Sequence, residues 1–174
     1  MAVLPILIVP HAVLKTKAWP VARVDDEICR LVDDMLETMY AAPGIGLAAN
    51  QVGVLRRVVV LDVAREGEKP APLALVNPEI VWQSDALNTY NEGCLSLPEQ
   101  YADVTRPAEV VFRYLDRDGK RQEQRAGGLL ATCVQHEIDH LNGILFVDHL
   151  SSLKRNILLR KLAKSRKAKE EAAM

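Results

Sequence analysis

Gly127-Gly128-Leu129-Leu130-Ala131-Thr132-Cys133-Val134-Gln135-His136-Glu137-Ile138-Asp139-His140-Leu141-Asn142-Gly143 decides the fold. Two glycines open it and Asn142-Gly143 closes it, so a helix is predicted over 129–141. That helix is apolar on nearly every face apart from its histidines and acidic residues, as expected of a helix buried on all sides. Outward from it, 24–39 carries a helical stripe of Val24, Ile28, Leu31, Val32, Met35, Leu36 and Met39. Asp25 or Asp26 caps its start and Pro43-Gly44 stops it. Cys29, beside the stripe, is expected to pack as a small hydrophobe. Strands are predicted over 57–63, 73–76, 79–83, 108–115 and 121–126, the last two joined by an Asp116-Arg117-Asp118-Gly119 turn. A third helix is predicted after a Ser151 cap. Short strands with antiparallel connections and no βαβ alternation give an α+β fold: small antiparallel sheets around a buried central helix, with an N-terminal and a C-terminal helix.

Composition fits one domain over 1–174, with a basic tail from about residue 151. The chain has 174 residues, 49% apolar and 26% charged, which excludes a disordered or collagen-like chain. Nothing approaches the roughly 20 unbroken apolar residues of a membrane helix, so no membrane association is expected. The apolar run 1–9 is short and interrupted by Pro5, with no basic residue before it, so it is not read as a signal peptide. Residues 1–20 lack both Arg and Ser, against a transit peptide. Three cysteines without a secretion signal point to a reducing compartment, the cytoplasm. The net charge of −1 hides an asymmetry: residues 151–174 hold eight Lys or Arg against Glu170 and Glu171. A basic tail on an acidic body suits a polyanionic partner, although on charge alone a solvated helix with no partner is the better reading.

The chemistry centres on His136-Glu137-Ile138-Asp139-His140. Side chains four apart share one helix face, so both imidazoles can reach one metal ion. Glu137 is rotated by about 100° and can reach a water on that ion. Neutral imidazole suits Zn²⁺ or Fe²⁺, and the carboxylate is placed to take and return a proton. A hydrolytic metal wants a third protein ligand and an open position. Spacing leaves that ligand open among Cys94, Cys133, His11, His149 and several carboxylates. Cys133, on the face of His136, reads as pocket lining, and His149 has an awkward path back. Cys94, in the glycine-containing loop Asn91–Ser96, is the best of several. Gly44-Ile45-Gly46-Leu47-Ala48-Ala49-Asn50-Gln51 is too small-sided to build a core and lets the backbone pass close to something else.

Taken together, Gly44–Gln51, Glu92-Gly93-Cys94-Leu95-Ser96 and Gln135–His140 resemble, in order and spacing, the three motifs of the peptide deformylase family. The resemblance implies removal of the formyl group from N-formylmethionine at the start of new proteins, releasing formate. It implies Cys94, His136 and His140 as metal ligands, with Fe²⁺ as physiological ion and Zn²⁺, Ni²⁺ or Co²⁺ as substitutes. It further implies Glu137 as proton carrier, with the Gln51 amide and Leu95 N–H as oxyanion donors. Substrate contacts are expected from Gly44, Ile45, Gly46, Glu92, Leu129 and Cys133, the last two with Ile45 lining a methionine pocket. Asp139 is expected to support the site, with Arg106 as a possible partner. Bacterial members carry a similar basic C-terminal helix, implying contact with the ribosome. Two rivals are another HExxH metallopeptidase, which would not need the first two motifs, and a non-enzymatic ribosome-associated module, against which Glu137 and Gln51 both speak.

Overall fold

A computed structural model describes residues 2–174; Met1 lies outside the described residues. Asp26–Ala41 form α1, where the Asp25 carboxylate accepts from Ile28 N at 3.0 Å and Asp26 and Glu27 occupy the first turn. Its buried face is Ile28, Val32, Met35, Thr38 and Met39, the predicted stripe. The strands are β1 (Gly46–Ala48), β2 (Val58–Leu61), β3 (Leu73–Gln83), β4 (Leu87–Cys94), β5 (Leu97–Pro107), β6 (Glu109–Leu115) and β7 (Arg121–Gly127). α2 is Gly128–Leu141 and α3 is Ser152–Ala173.

All pairings are antiparallel, in a five-stranded sheet of order β1-β2-β3-β6-β7 and a separate β4-β5 ribbon. α2 touches strands of both sheets. Ala131, Cys133, Val134, Ile138 and Leu141 join its core with Val59, Leu75 and Phe112. Full burial of each such large apolar side chain contributes about 1.5–3 kcal/mol. α1 closes the other face of the sheet with Leu47, Val58 and Val60.

Three expectations need correction. The two strands predicted over 73–83 are one, with a register irregularity where Asn77, at φ 50°, precedes Pro78. The segment around Cys94 is not a loop but the end of β4. The stretch 44–51, read as too small-sided to build a core, contains β1 followed by a 3₁₀ turn, Ala49–Val52, and its Leu47, Ala48 and Ala49 are fully buried core residues. In the tail helix the sequence offers Leu153, Ile157, Leu158 and Leu162 as docking positions, with the rest projecting as a cationic rod, and the structure docks it differently. Ser151 caps it as predicted, its hydroxyl accepting from Lys154 N. Leu158 and Leu162 are buried, but Leu153 and Ile157 are 70% and 42% exposed, because they lie off the docked face. Nor do the residues past Leu162 project freely: Arg166 Nη1 donates to Val9 O at 2.9 Å, and Lys169 reaches Glu99 at 3.5 Å.

Val9 belongs to a segment tied to several layers. Leu4 N donates to Thr38 Oγ1 (2.8 Å), Leu7 N to Gln51 O (2.7 Å) and Val9 N to Ser96 O (3.0 Å).

Candidate active site

A cavity of about 570 Å³ opens between β1, the β4-β5 turn and α2, lined among others by Ile45, Gln51, Cys94, Leu95, Leu129 and His136. Local sequence explains how the walls approach. A Cβ on Gly46 would stand 3.0 Å from Cys133 Sγ and from the Glu137 side chain, so β1 passes α2 with no space for a side chain. A Cβ on Gly93 would meet the Tyr101 ring at 2.4 Å, and Tyr101 is its cross-strand partner. The glycines that looked permissive in sequence are positions of close contact.

On the floor, one ligand atom each from Cys94, His136 and His140 lie within 4.8 Å of one another. Cys94 ends β4, while both imidazoles descend from one face of α2. Cys94 Sγ is 3.3 Å from His140 Nε2. His136 Nδ1 donates to Glu92 Oε1 at 2.8 Å, which turns the lone pair of Nε2 toward the other two. A thiolate with two imidazoles suits a borderline divalent ion. Glu137 Oε2 is buried with no hydrogen-bond partner, as expected beside a site that receives a cation and water. The residues therefore fit a metal ion.

Behind His136 runs a buried polar chain. Arg106 donates to both Glu92 oxygens at 2.8 and 3.0 Å and to Asp139 Oδ2 at 2.8 Å. His149 Nε2 donates to the same Asp139 oxygen at 2.8 Å. The expected Arg106–Asp139 pair is thus present, and His149, weighed as a ligand, partners Asp139 instead. His11 caps the 3₁₀ turn Ala12–Lys15, its Nδ1 accepting from Val13 N. Glu92, expected to touch substrate, lines the cavity, but its carboxylate is occupied by Arg106 and His136.

Protonation follows this packing. Burial pushes Glu137 up to about 7, with Glu92 and Asp139 adding to it and His136 and Arg106 opposing. A carboxylate near neutrality suits a group that takes a proton and gives it back. Burial works against charge on His136, yet Cys94 and Glu92 outweigh it and hold its pKa well above the ordinary imidazole range, so an ion bound at Nε2 would displace a proton from it. His140 is driven well below that range by burial and then by His136 and Arg106. Burial disfavours charge on Glu92, but hydrogen bonds from His136 and Arg106 leave it below the usual carboxylate value.

The remaining candidates fall around the same cavity. The Gln51 Oε1 accepts from Ala48 N (2.9 Å), fixing the amide so that Nε2 donates to Cys94 Sγ (3.4 Å) and Ser96 Oγ (3.1 Å). Leu95 follows Cys94 in the β4-β5 turn. Gly44, Ile45 and Gly46 form the opposite wall, and Cys133 Sγ points to Ile45 O at 3.7 Å. Leu129 sits at the rim, 38% exposed. Tyr90, Thr132 and Ser96 were not singled out in the sequence. Thr132 had a signal, four residues before His136 on the same helix face.

An HExxH helix buried under an antiparallel sheet, with a thiol and two imidazoles converging beside an open cavity, defines a metallohydrolase site. The sequence model of the family described as polypeptide deformylase matches residues 3–156. The chain belongs to that family. The peptide deformylase of Agrobacterium fabrum is 56% identical over 169 residues, covering 97% of this chain and 99% of the relative. That of Phenylobacterium zucineum is 58% identical over 168 residues, with 97% and 99% covered. Among solved structures, peptide deformylase from Ehrlichia chaffeensis superposes with a TM-score of 0.92 at 41% identity, covering 97% of this chain and 99% of that one. The same protein in complex with actinonin gives 0.90 at 43% identity, with 95% and 98% covered.

Proposed function

We propose that this chain hydrolyses the N-formyl group of formylmethionine at the start of newly made proteins, releasing formate and a free amino terminus. The observation that carries this reading is the convergence of Cys94, His136 and His140 to within 4.8 Å beside the buried, unpartnered carboxylate oxygen of Glu137. Cys94 Sγ and one nitrogen each of His136 and His140 would hold one divalent ion, Fe²⁺ physiologically, with Zn²⁺, Ni²⁺ or Co²⁺ as substitutes. When bound, such an ion supplies a Lewis acid that acidifies a water and polarises the formyl oxygen.

The chain's own groups do the rest. Glu137 takes the proton of the attacking water and delivers it to the leaving amine as the C–N bond breaks. The Gln51 amide and Leu95 N–H face the charge developing on the formyl oxygen; each such donor contributes about 2.7–4 kcal/mol when aimed at it. Glu92 holds His136 in one tautomer, and Arg106 holds Glu92 ionised. The extended substrate backbone lies along Gly44–Gly46, with its first side chain between Ile45 and the α2 residues Leu129 and Cys133.

The ribosome is the proposed partner of α3, whose eight basic side chains support a polyanionic surface there. Residues 1–174 act in this reading as one domain. Three free cysteines support a reducing, cytoplasmic setting. The deciding assay is formate release from formyl-Met-Ala-Ser, with no cleavage of the unformylated peptide. Cleavage of internal bonds without formate would point to a peptidase instead.

A further inference from the structure

We infer that the side-chain pocket of this site also accepts methionine in its singly oxidised form, so that chains beginning with N-formylmethionine sulfoxide are substrates. This rests on the formylmethionine reading above and adds to it a second substrate class. The observation is a pair of hydroxyls on the α2 side of the cavity, beside the apolar side chains of Leu129, Cys133 and Ile45. Leu129, Thr132, Cys133 and His136 line the cavity from α2, and Ile45 and Tyr90 line it from β-structure and its approach. Thr132 is only 6% exposed. The hydroxyls of Thr16 and Thr38 donate to the carbonyls four residues back, at 3.0 and 2.6 Å. Among the described residues, Thr132 Oγ1 makes no such bond. Gln135, buried on the same helix, is tied to Ala131 O and Pro107 O, whereas Thr132 has no side-chain partner either. Its hydroxyl is left to the cavity.

Tyr90 brings the second hydroxyl. Its Oη stands 3.7 Å from where a Cβ on Gly128 would lie. Gly128 is one turn before Thr132, so both hydroxyls border the same strip of α2. Among the described residues, Tyr90 Oη likewise has no hydrogen-bond partner.

A thioether is a weak acceptor and gains little from such donors. A sulfoxide carries a strongly polarised oxygen on the same sulfur, in a side chain of the same length. In a wholly apolar pocket that oxygen would lose its water unreplaced, a loss of roughly ten- to hundredfold in binding. Here Thr132 and Tyr90 replace the water as donors. The reaction is unaltered: the formyl C–N bond breaks, the water oxygen goes to formate, the proton goes to the amine, and the S–O bond is untouched.

The test compares kcat/KM for formate release by the metal-loaded enzyme from formyl-Met-Ala-Ser, both sulfoxide epimers of it, and the formylnorleucine analogue. In wild type, at least one epimer should fall within about tenfold of methionine. Thr132→Val, which keeps the shape and removes the hydroxyl, and Tyr90→Phe should each lower the sulfoxide-to-methionine ratio by about tenfold, the effect of one lost hydrogen bond in a buried setting. The norleucine-to-methionine ratio should hold in both, and Thr132→Ser should restore the sulfoxide ratio. An unaltered sulfoxide ratio in both variants, or wild-type rejection of both epimers beyond a hundredfold while methionine is processed, overturns the inference and leaves the formylmethionine reading standing. No formate from any peptide overturns both.

Discussion

Replacing Arg106 by Leu separates the buried polar chain from the metal-ligand layer it supports. Arg106 and Glu92 side chains are each 5% exposed, and Arg106 also holds Asp139. Burial disfavours its charge, but Glu92 and then Asp139 overcome this and raise its pKa above the ordinary guanidinium value. Removing one partner of a buried ion pair leaves an uncompensated charge, at a cost of about 3–5 kcal/mol. For a chain of this size that corresponds to a fall in Tm of about 6–20 °C. Glu92 would keep only His136 as partner, its carboxylate would protonate more easily, and its grip on the His136 tautomer would loosen. Metal affinity should therefore drop about 10–100-fold, the usual effect of losing a group that orients a ligand. The control is Arg113→Leu, which breaks an ion pair to Glu123 whose side chains are 61% and 52% exposed; so exposed a pair contributes little, and that protein should melt close to wild type. Thermal unfolding and competition with a chromophoric chelator, run on the Co²⁺ form of all three proteins, give both numbers. An Arg106→Leu protein that melts within about 2 °C of wild type and holds metal equally well would refute the reasoning.

Four further outcomes are expected. Glu137→Gln should bind one metal ion per chain while kcat for deformylation falls about 10²–10⁴-fold; loss of the metal would show that Glu137 is a ligand rather than a proton carrier. Cys94→Ser should lose metal on dialysis, whereas Cys29→Ser, whose thiol sits 3.5 Å from Arg117 O and far from the cavity, should not. Burial and the Asp62 contact raise Tyr40 to about 12, so the fold holds a proton that the unfolded chain releases near pH 10. Stability should thus decline as pH rises from about 10 to about 12, and Tyr40→Phe should flatten that decline in alkaline melts; equal slopes would discount the pair. Deleting residues 164–174 should weaken ribosome co-sedimentation at low salt, with binding by the full chain falling steeply as salt rises; equal pelleting would make the tail a solvated helix only.

α1 was legible because it carries a 3.6-residue stripe with punctuation at both ends, and α2 because glycines open it and Asn142-Gly143 closes it; the structure keeps both within two residues of the predicted bounds. The β4-β5 ribbon was not, and the reason is chemical. It contains few buried apolar side chains, and polar cross-strand pairs help to hold it, Thr89 with Thr105 at 2.8 Å and Asn91 with Asp103 at 3.1 Å. Hydrophobic alternation, the signal a strand usually leaves, is missing. The paired histidines could be read from spacing on one helix. Cys94 could not, because it is 46 positions from His140 and arrives on another element; only the motif resemblance selected it. His149 illustrates the same limit. Its path was judged for reaching a metal, while the structure uses it to hold Asp139, a contact that depends on how the chain turns after α2. Thr132 was passed over inside a helix that looked apolar on nearly every face, although its place four residues before His136 put it on the face of a metal ligand.

The segment holding Leu4, Leu7 and Val9 imposes an order on assembly during synthesis. Leu7 supports Gln51 and Val9 supports Ser96, yet Val9 O accepts from Arg166, 157 positions later. Such a long-range contact forms only after Arg166 has been made, and contacts of this separation are slow to close. As the polypeptide emerges N-terminus first, Leu7 and Val9 must wait for α3 before they are clasped from both sides. The wall of the cavity carrying Gln51 and Ser96 should therefore be among the last parts to become rigid. Pulse-labelled hydrogen exchange on refolding protein should show Leu7 and Val9 amides gaining protection later than those of α1.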